Sequence, residues 1–436
     1  MPSCLIANPV SNANILVRYL KERGVDCYAI IELDKVARIP KLNAKKKGEF
    51  QAELYKGIFT SEDQLPPVGS GLFDAVLAGS ENGVFLAEKL AAHYSLPGNN
   101  PATSFRRRHK DQMQHSLAQA GLAFIPTLVL NGRESVGPAI AEWDHYPCVL
   151  KPQSSAGGEG VQCCNNHTEL QQALDNASWD TFSATWTVND HFLIQPMIQG
   201  PEYVVDMVAC AGKYVVSSVC RYVRSDELDI AGCDFVKKFT FMLPLDRPVC
   251  QALSDYAKRA ANALDITYGA VHMELVMGED GPVMIEAAAR MHGTITPQLF
   301  VDCYDASLLE QLYEAYFGDA ENMRDAVLKA PAIVSDVICV ESGVYSTSEP
   351  LLEQCLALLS SFKGYVCVIS EGDEYGPTHN LISSPMNASF CDTDADRLWA
   401  DVTAFDQAAE HLLGGIVFSE EDWGSIRRTY DEYLAS

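Results

Sequence analysis

Residues 269–290 hold the pattern that most restricts the fold: GAVHMELVM, the turn GEDGP, then VMIEAAAR. Alternation with a period of two puts His272 and Glu274 on one face of a strand and Val271, Met273 and Leu275 on the other. On the return strand Glu286, Ala288 and Arg290 share a face, against Ile285 and Ala287. A three-residue loop, Glu279-Asp280-Gly281, offers glycine at the left-handed position of a bulged hairpin. That register sets Glu274 directly across from Glu286, about 5 Å away. A two-residue loop puts Glu286 on the face of Met273, against the polar pattern. Facing carboxylates repel unless a cation joins them, and Mg²⁺ commonly takes one or two carboxylates plus substrate phosphates. The plainer alternative is a solvent-exposed acidic pair.

Three further segments carry chemistry. Lys110 opens a helix over 110–120, with Met113, Leu117 and Ala120 on one face and Gly121 as its stop. A lysine there sits against the helix dipole, whose N-terminus favours anions, and by itself it reads as a surface lysine. The run KPQSSAGGEGV, residues 151–161, follows the apolar strand Cys148-Val149-Leu150. Its small residues let consecutive backbone N–H groups approach phosphate oxygens, and Lys151 adds a point charge; a flexible hairpin loop is the alternative. The stretch IQPMIQGPEY, residues 194–203, offers extended backbone to a purine edge. Gln195 is placed to accept from an adenine amine and Glu202 from ribose hydroxyls, unless this is an edge strand that Pro196 breaks.

The first hundred residues alternate strand and helix: a strand at 4–8, a helix at 12–23 ended by Gly24, and strands at 25–31 and 73–78 with a helix at 83–94. That order argues for a parallel sheet with helices on its faces. No G-x-G-x-x-G follows either strand and no P-loop occurs, which removes the support for a dinucleotide site of those kinds. The run Arg106-Arg107-Arg108, after the turn-rich PGNNP, reads as a solvated linker. With 32 basic and 58 acidic residues, a formal charge of −26 disfavours nucleic acid and anionic membrane as partners. No apolar run is long enough to cross a membrane, and no export signal opens the chain. The fourteen cysteines lack metal-knuckle spacing and are expected as reduced, buried small hydrophobes of a cytoplasmic protein.

A helix lysine, a lysine with a glycine loop, a hinge with Glu, and paired Glu with Arg, in that order, resemble the ATP-grasp superfamily over residues 72–300. The similarity is greatest to the amide-forming branch that includes bacterial L-amino acid ligases and dipeptide synthetases. The resemblance implies an α/β and α+β multidomain chain with the ATP-grasp fold. Its parts are an N-terminal Rossmann-like domain over 1–108, an ATP-grasp domain over 109–302 with a mobile lid at about 145–197, and a C-terminal α+β region over 303–436 completing the ligase domain. It further implies that Lys110 and Lys151 contact the α- and β-phosphates of ATP, and that Ser155, Ala156, Gly157, Gly158 and Gly160 close over the β- and γ-phosphates. Gln195 and the backbone of Met197 and Ile198 hold adenine, and Glu202 the ribose. Glu274 and Glu286 bind two Mg²⁺ ions, with Mn²⁺ able to substitute, and Arg290 steadies the transferred phosphoryl group and the acyl phosphate. The family commonly has Asn two residues after the second Glu, where this chain has Ala288, so one metal ligand differs.

The implied reaction activates a small carboxylic acid as an acyl phosphate and joins it to an amino-acid amine, giving an amide or dipeptide, ADP and phosphate. Arg221, Arg224, Lys237 and Lys238 flank the acidic stretch 225–234, where a guanidinium can clamp a substrate carboxylate, a solvated loop being the alternative. Glu81, His272 and His292 are further candidates for the substrate pocket. The expected partners are small-molecule acid and amine substrates, with a homodimer as the family's assembly. Two rivals are an ATP-grasp carboxylase using bicarbonate, which lacks support from an M-K-M biotinylation motif, and a non-catalytic ATP-binding module.

Overall fold

The computed structural model describes residues 1–36, 50–230 and 236–435. The first sheet is parallel, in the order β3-β2-β1-β4, from β1 (Ser3–Ala7), β2 (Asp26–Ile30), β3 (Gly57–Phe59) and β4 (Ala75–Ala78). Both faces of β1 are covered, which is why it reads as a continuous apolar run rather than an alternating one. Cys4 and Ile6 pack with Leu16, Val17 and Leu20 of helix Ala13–Glu22, while Leu5 and Ala7 pack with Leu86, Ala87 and Leu90 of helix Val84–Tyr94.

The basic run is not a solvated linker. Only Arg106 is exposed. Arg107 is fully buried, with its Nε 2.7 Å from Glu88 Oε1 and its Nη1 donating to the carbonyls of Leu264 and Asp265 at 3.0 Å. Arg108 is buried against Glu81. Consecutive cations thus tie the first sheet to the rest of the chain, and the spent backbone carbonyls and carboxylate compensate for their desolvation. In the following helix, Lys110–Gln119, Met113 and Leu117 enter the core as expected, but Ala120 is exposed. Gln114 is buried instead, donating to the Met284 carbonyl at 2.9 Å and accepting from the Ile125 amide at 2.7 Å.

A second, antiparallel sheet has the order β5-β10-β6-β7, from β5 (Leu128–Asn131), β6 (Cys148–Pro152), β7 (Gln162–Cys164) and β10 (His191–Pro196); β8 (Thr181–Phe182) and β9 (Val188–Asn189) pair beside it. The alternative of an edge strand broken by Pro196 does not hold, since β10 lies between β5 and β6. Pro196 is its last residue, where the missing N–H costs no ladder bond further along.

The third sheet has eight strands in the order β15-β14-β11-β12-β13-β16-β20-β18. They are β11 (Glu202–Cys210), β12 (Lys213–Arg224), β13 (Lys237–Leu243), β14 (Gly269–Gly278), β15 (Gly281–Ala288), β16 (Ala332–Asp336), β18 (Phe362–Cys367) and β20 (Met386–Cys391), with β17 (Gly343–Val344) and β19 (Glu374–Tyr375) paired apart. Strands from beyond residue 303 thus extend the sheet that carries the paired carboxylates. Helices Ala395–Leu413 and Glu420–Ala435 cover it, with Tyr430 stacked on Phe241 at 4.5 Å between ring centres and Phe405 tilted against Phe390 at 5.6 Å.

The β14–β15 hairpin corrects one expectation and keeps its consequence. The turn has two residues, with Gly278 opposite Gly281, so simple alternation would turn Glu286 away from Glu274. A bulge restores the phase: Leu275 pairs with Met284, Ile285 is the extra residue, and Glu274 stands opposite Glu286. No disulfide joins the described cysteines, and most of them are buried. Among the described residues no helix is long and apolar enough to cross a membrane.

Candidate active site

The second and third sheets face each other across a cavity of about 250 Å³. Lys151 is the last residue but one of β6, Gln195 and Pro196 end β10, Glu202 starts β11, and Glu274 and Glu286 face the space from within β14 and β15. The glycine loop supplies Ser155, Ala156, Gly157 and Gly158 from above, and Ile198 follows β10. Lys110, Arg290, Glu81, His272 and His292 complete the set that the sequence pointed to.

Cations and carboxylates lie close together in this cavity. Lys110 is buried, with its Nζ 2.9 Å from Glu286 and 3.2 Å from the Ser155 carbonyl, so it is not a surface lysine. Burial pushes the Glu286 carboxyl up, but Lys110, Lys151 and Arg290 together hold it below the usual range. Burial and the nearby Lys110 lower Lys151 to about 8, against the pull of Glu286 and Glu274. Burial and the Glu274 charge raise Glu202 to about 7, although Arg224 lies 3.0 Å away.

These values give a test. Lys151 is held below the ordinary lysine range, so its charge is lost as pH rises through about 8, and a phosphate placed beside it would restore that charge. Nucleotide binding at pH 8.5 is expected to take up a proton and to weaken by up to about tenfold between pH 8 and 9. Glu202 is ionised by then. Calorimetry in buffers of different ionisation enthalpy reads the uptake, and Lys151→Met should abolish it.

The glycines of the loop are needed for conformation and for space. Gly157 and Gly158 adopt φ of +65° and +78°, and a Cβ on Gly157 would meet Ile382 Cγ1 at 3.1 Å. The segment over the loop comes from the far end of the chain, where His379, Asn380 and Leu381 also line the cavity. No local pattern signals this cover, which depends on folding residues 303–436 back onto the third sheet.

Four expected site residues are placed otherwise. Gly160 does not line the cavity; a Cβ there would meet Pro152 at 2.9 Å. The Met197 amide is spent on the Pro147 carbonyl at 2.9 Å, so its N–H does not face a purine. Arg221 lies outside the cavity, bound to Glu227 and to the Glu202 carbonyl at 3.1 Å. Lys238 is buried with Asp406 at 2.8 Å, Ser335 Oγ at 3.0 Å and the Asp336 carbonyl at 2.9 Å. Its neighbour Lys237 lines the cavity instead, since successive residues of a strand point to opposite faces. Of the acidic stretch, residues 231–235 lie outside the described residues.

Beneath the carboxylates is a buried network that the sequence did not reveal. Asp206 on β11 is fully buried and accepts from His272 Nδ1 at 2.9 Å, His292 Nδ1 at 2.8 Å and Ser218 Oγ at 2.9 Å. Burial opposes its ionisation, yet the two histidines hold its carboxyl well below the usual range. Burial lowers His292 to about 4, and its Nε2 is 3.0 Å from Tyr222 OH. His272 stands across from Ala288, with Nε2 3.5 Å from Glu274 Oε1. The only sequence signal was the register that pairs Asp206 with His272, readable once β11 and β14 are known to be neighbours.

Arg290 is aimed by two bonds, Nε to Glu81 at 2.8 Å and Nη1 to the Met291 carbonyl at 2.7 Å, while Arg108 holds the other Glu81 oxygen. Two facing carboxylates beside buried lysines fit a hard dication that takes oxygen ligands, which Glu274 and Glu286 would hold.

Residues 144–298 match the family described as ATP-grasp domain. The chain is 30% identical to dapdiamide A synthase of Enterobacter agglomerans over 254 residues, 58% of each protein. It is 22% identical to an L-arginine-specific L-amino acid ligase of Bacillus subtilis over 250 residues, 55% of this chain and 57% of that one. It thus spans less than two thirds of the length of the curated relatives it matches. In fold it resembles the L-amino acid ligase of Bacillus licheniformis, with a TM-score of 0.71 at 16% identity over 96% of this chain and 99% of that one. An ADP complex of N5-carboxyaminoimidazole ribonucleotide synthetase gives 0.68 at 14% identity, over 94% and 97%. Residues 144–298 form an ATP-grasp domain, and the chain has the ATP-grasp fold.

Proposed function

We propose that the protein is an ATP-dependent carboxylate–amine ligase that forms ADP and joins a small carboxylic acid, an amino acid or a derivative of one, to an amino-acid amine. The observation that carries this reading is the convergence of Lys110, Lys151, Glu274, Glu286 and Arg290 on one cavity under a glycine loop. Similarity to a dapdiamide A synthase and to an L-arginine-specific L-amino acid ligase supports it.

Lys110 and Lys151 bind the nucleotide's phosphates, and the loop amides around Gly157 and Gly158 orient the terminal one. Glu274 and Glu286 would hold divalent metal, two Mg²⁺ ions or Mn²⁺ in their place. When bound, such metal screens the phosphate charge and polarises the P–O bonds. A substrate carboxylate oxygen then attacks the γ-phosphorus, the bond to the β-phosphate oxygen breaks, and ADP leaves. Arg290 offers its guanidinium to the transferred group, and the neutral amine displaces phosphate from the acyl carbon. Two anions must meet here; a unit charge pair at ~4 Å is worth about 4 kcal/mol at an effective dielectric of 20, so aimed cations dominate the barrier. Glu81 and the Asp206 pair of histidines act by position: the first aims Arg290 and the second fixes the wall next to Glu274.

The test measures ADP release across pools of acids and amines, with hydroxylamine as a trap. Acid-dependent ADP with a trapped hydroxamate is expected. ADP with bicarbonate alone, or tight ATP binding with no ADP from any acid, contradicts the reading. The homodimer and the cytoplasmic location belong to the same reading; sedimentation of the purified chain reads the first.

A further inference from the structure

A second cavity, of about 440 Å³, opens beside the nucleotide cavity and shares Glu81, Gly157, Arg290 and Thr294 with it. The rest of its wall differs in chemistry. Val10 and Ile15 come from the first strand–helix unit, Ile295 from the turn after Arg290, and Val366, Val368 and Ile382 from the C-terminal region. Glu81 and Arg290 are the only charged residues described in the lining, and they are bonded to each other at 2.8 Å. Two amide oxygens in the wall, Asn82 Oδ1 and Asn387 Oδ1, are buried without a hydrogen-bond partner among the described residues, and Asn387 is 7% exposed.

An occupant with a charged side chain would bury that charge among valines and isoleucines, where the charges described in the wall, Glu81 and Arg290, are already paired with each other, a cost of several kcal/mol. An apolar side chain gains from the same wall, and the two orphan carbonyl oxygens each need an N–H or O–H donor to recover the loss of water. The volume suits an amino acid, and bicarbonate would leave most of it empty.

We infer that this cavity binds an α-amino acid substrate whose side chain is uncharged and predominantly apolar, aliphatic or aromatic, with Asn387 Oδ1 accepting from its α-amine and Val366, Val368 and Ile382 setting the selectivity. The inference rests on the ligase reading for the word substrate, but the pocket is testable without turnover. It also assigns a role to residues 303–436, which line this cavity although they lie outside the ATP-grasp match.

The experiment is calorimetric titration of the full chain, with ADP and Mg²⁺ present, using leucine, phenylalanine, arginine, glutamate and glycine. Leucine or phenylalanine should bind at least tenfold more tightly than arginine and glutamate. Val366→Trp, which fills the cavity, should weaken phenylalanine at least tenfold and leave ADP affinity within twofold; the latter also reports that the variant is folded. Asn387→Leu keeps the volume, removes the acceptor, and should weaken every binder that has a free amine. Arginine or glutamate binding as tightly as leucine, or Val366→Trp leaving phenylalanine unchanged, overturns the inference. A hydroxamate of the bound amino acid marks it as the acid. ADP release only when a second acid is added marks it as the amine. Leucine binding with no ADP from any pair keeps the pocket and contradicts the ligase reading instead.

Discussion

Glu286→Gln is expected to lower ADP formation about a thousandfold, roughly 4 kcal/mol of barrier, while leaving metal-free nucleotide binding intact. The split follows from the local charges. In the native site Glu286 neutralises Lys110 at 2.9 Å and faces Glu274 across the hairpin. A neutral amide removes half of the carboxylate pair that would hold divalent metal, so charge on the transferring phosphoryl group goes uncompensated. It also frees Lys110 beside Lys151, two buried lysines with less negative charge between them. Phosphates bind such a site at least as well as the native one. Steady-state ADP release and calorimetry with ADP in chelator read the two halves separately. A variant that lost nucleotide binding and kept turnover per bound nucleotide would place Glu286 in the fold rather than the chemistry.

Arg290→Met is expected to cost about 10²- to 10³-fold in ADP formation, and Arg290→Lys nearly as much. The fork is used at both ends: Nε donates to Glu81 and Nη1 to the Met291 carbonyl, which turns the remaining edge toward the junction of the two cavities. An ammonium cannot make both bonds and still face the substrate. Loss of the guanidinium leaves Glu81 with Arg108 alone. The effect should fall on kcat and on the KM for the acid, with the nucleotide KM changed less than threefold. Initial-rate kinetics with each substrate varied in turn decide it.

Much of the candidate site was legible because its parts are local in sequence. The glycine loop follows its strand, the hinge residues are contiguous, and the facing carboxylates lie within one hairpin. Even there the detail differed: alternation alone cannot reveal that a two-residue turn and a bulge at Ile285 give the same pairing as a three-residue loop. What escaped depends on contacts between distant segments. Arg108, Glu81 and Arg290 form a chain across some two hundred residues, and Arg107 is spent on Glu88 in a buried pair that reads locally as a charged linker. Lys237 and Lys238 are indistinguishable in composition, and only the strand's orientation decides which one faces the cavity. Asp206 sits in an apolar run, YVVDMVAC, and its two histidines arrive from β14 and from the turn after β15.

The central claim is that a carboxylate oxygen of the acid is phosphorylated before the amine attacks. It is tested most directly with the acid labelled by ¹⁸O in its carboxylate, followed through one turnover with ATP, metal and amine. Displacement of phosphate from an acyl phosphate carries one carboxylate oxygen away with it, so the inorganic phosphate should contain a single ¹⁸O and ADP none. Label confined to the product and to water, or found in a nucleotide, would contradict the account.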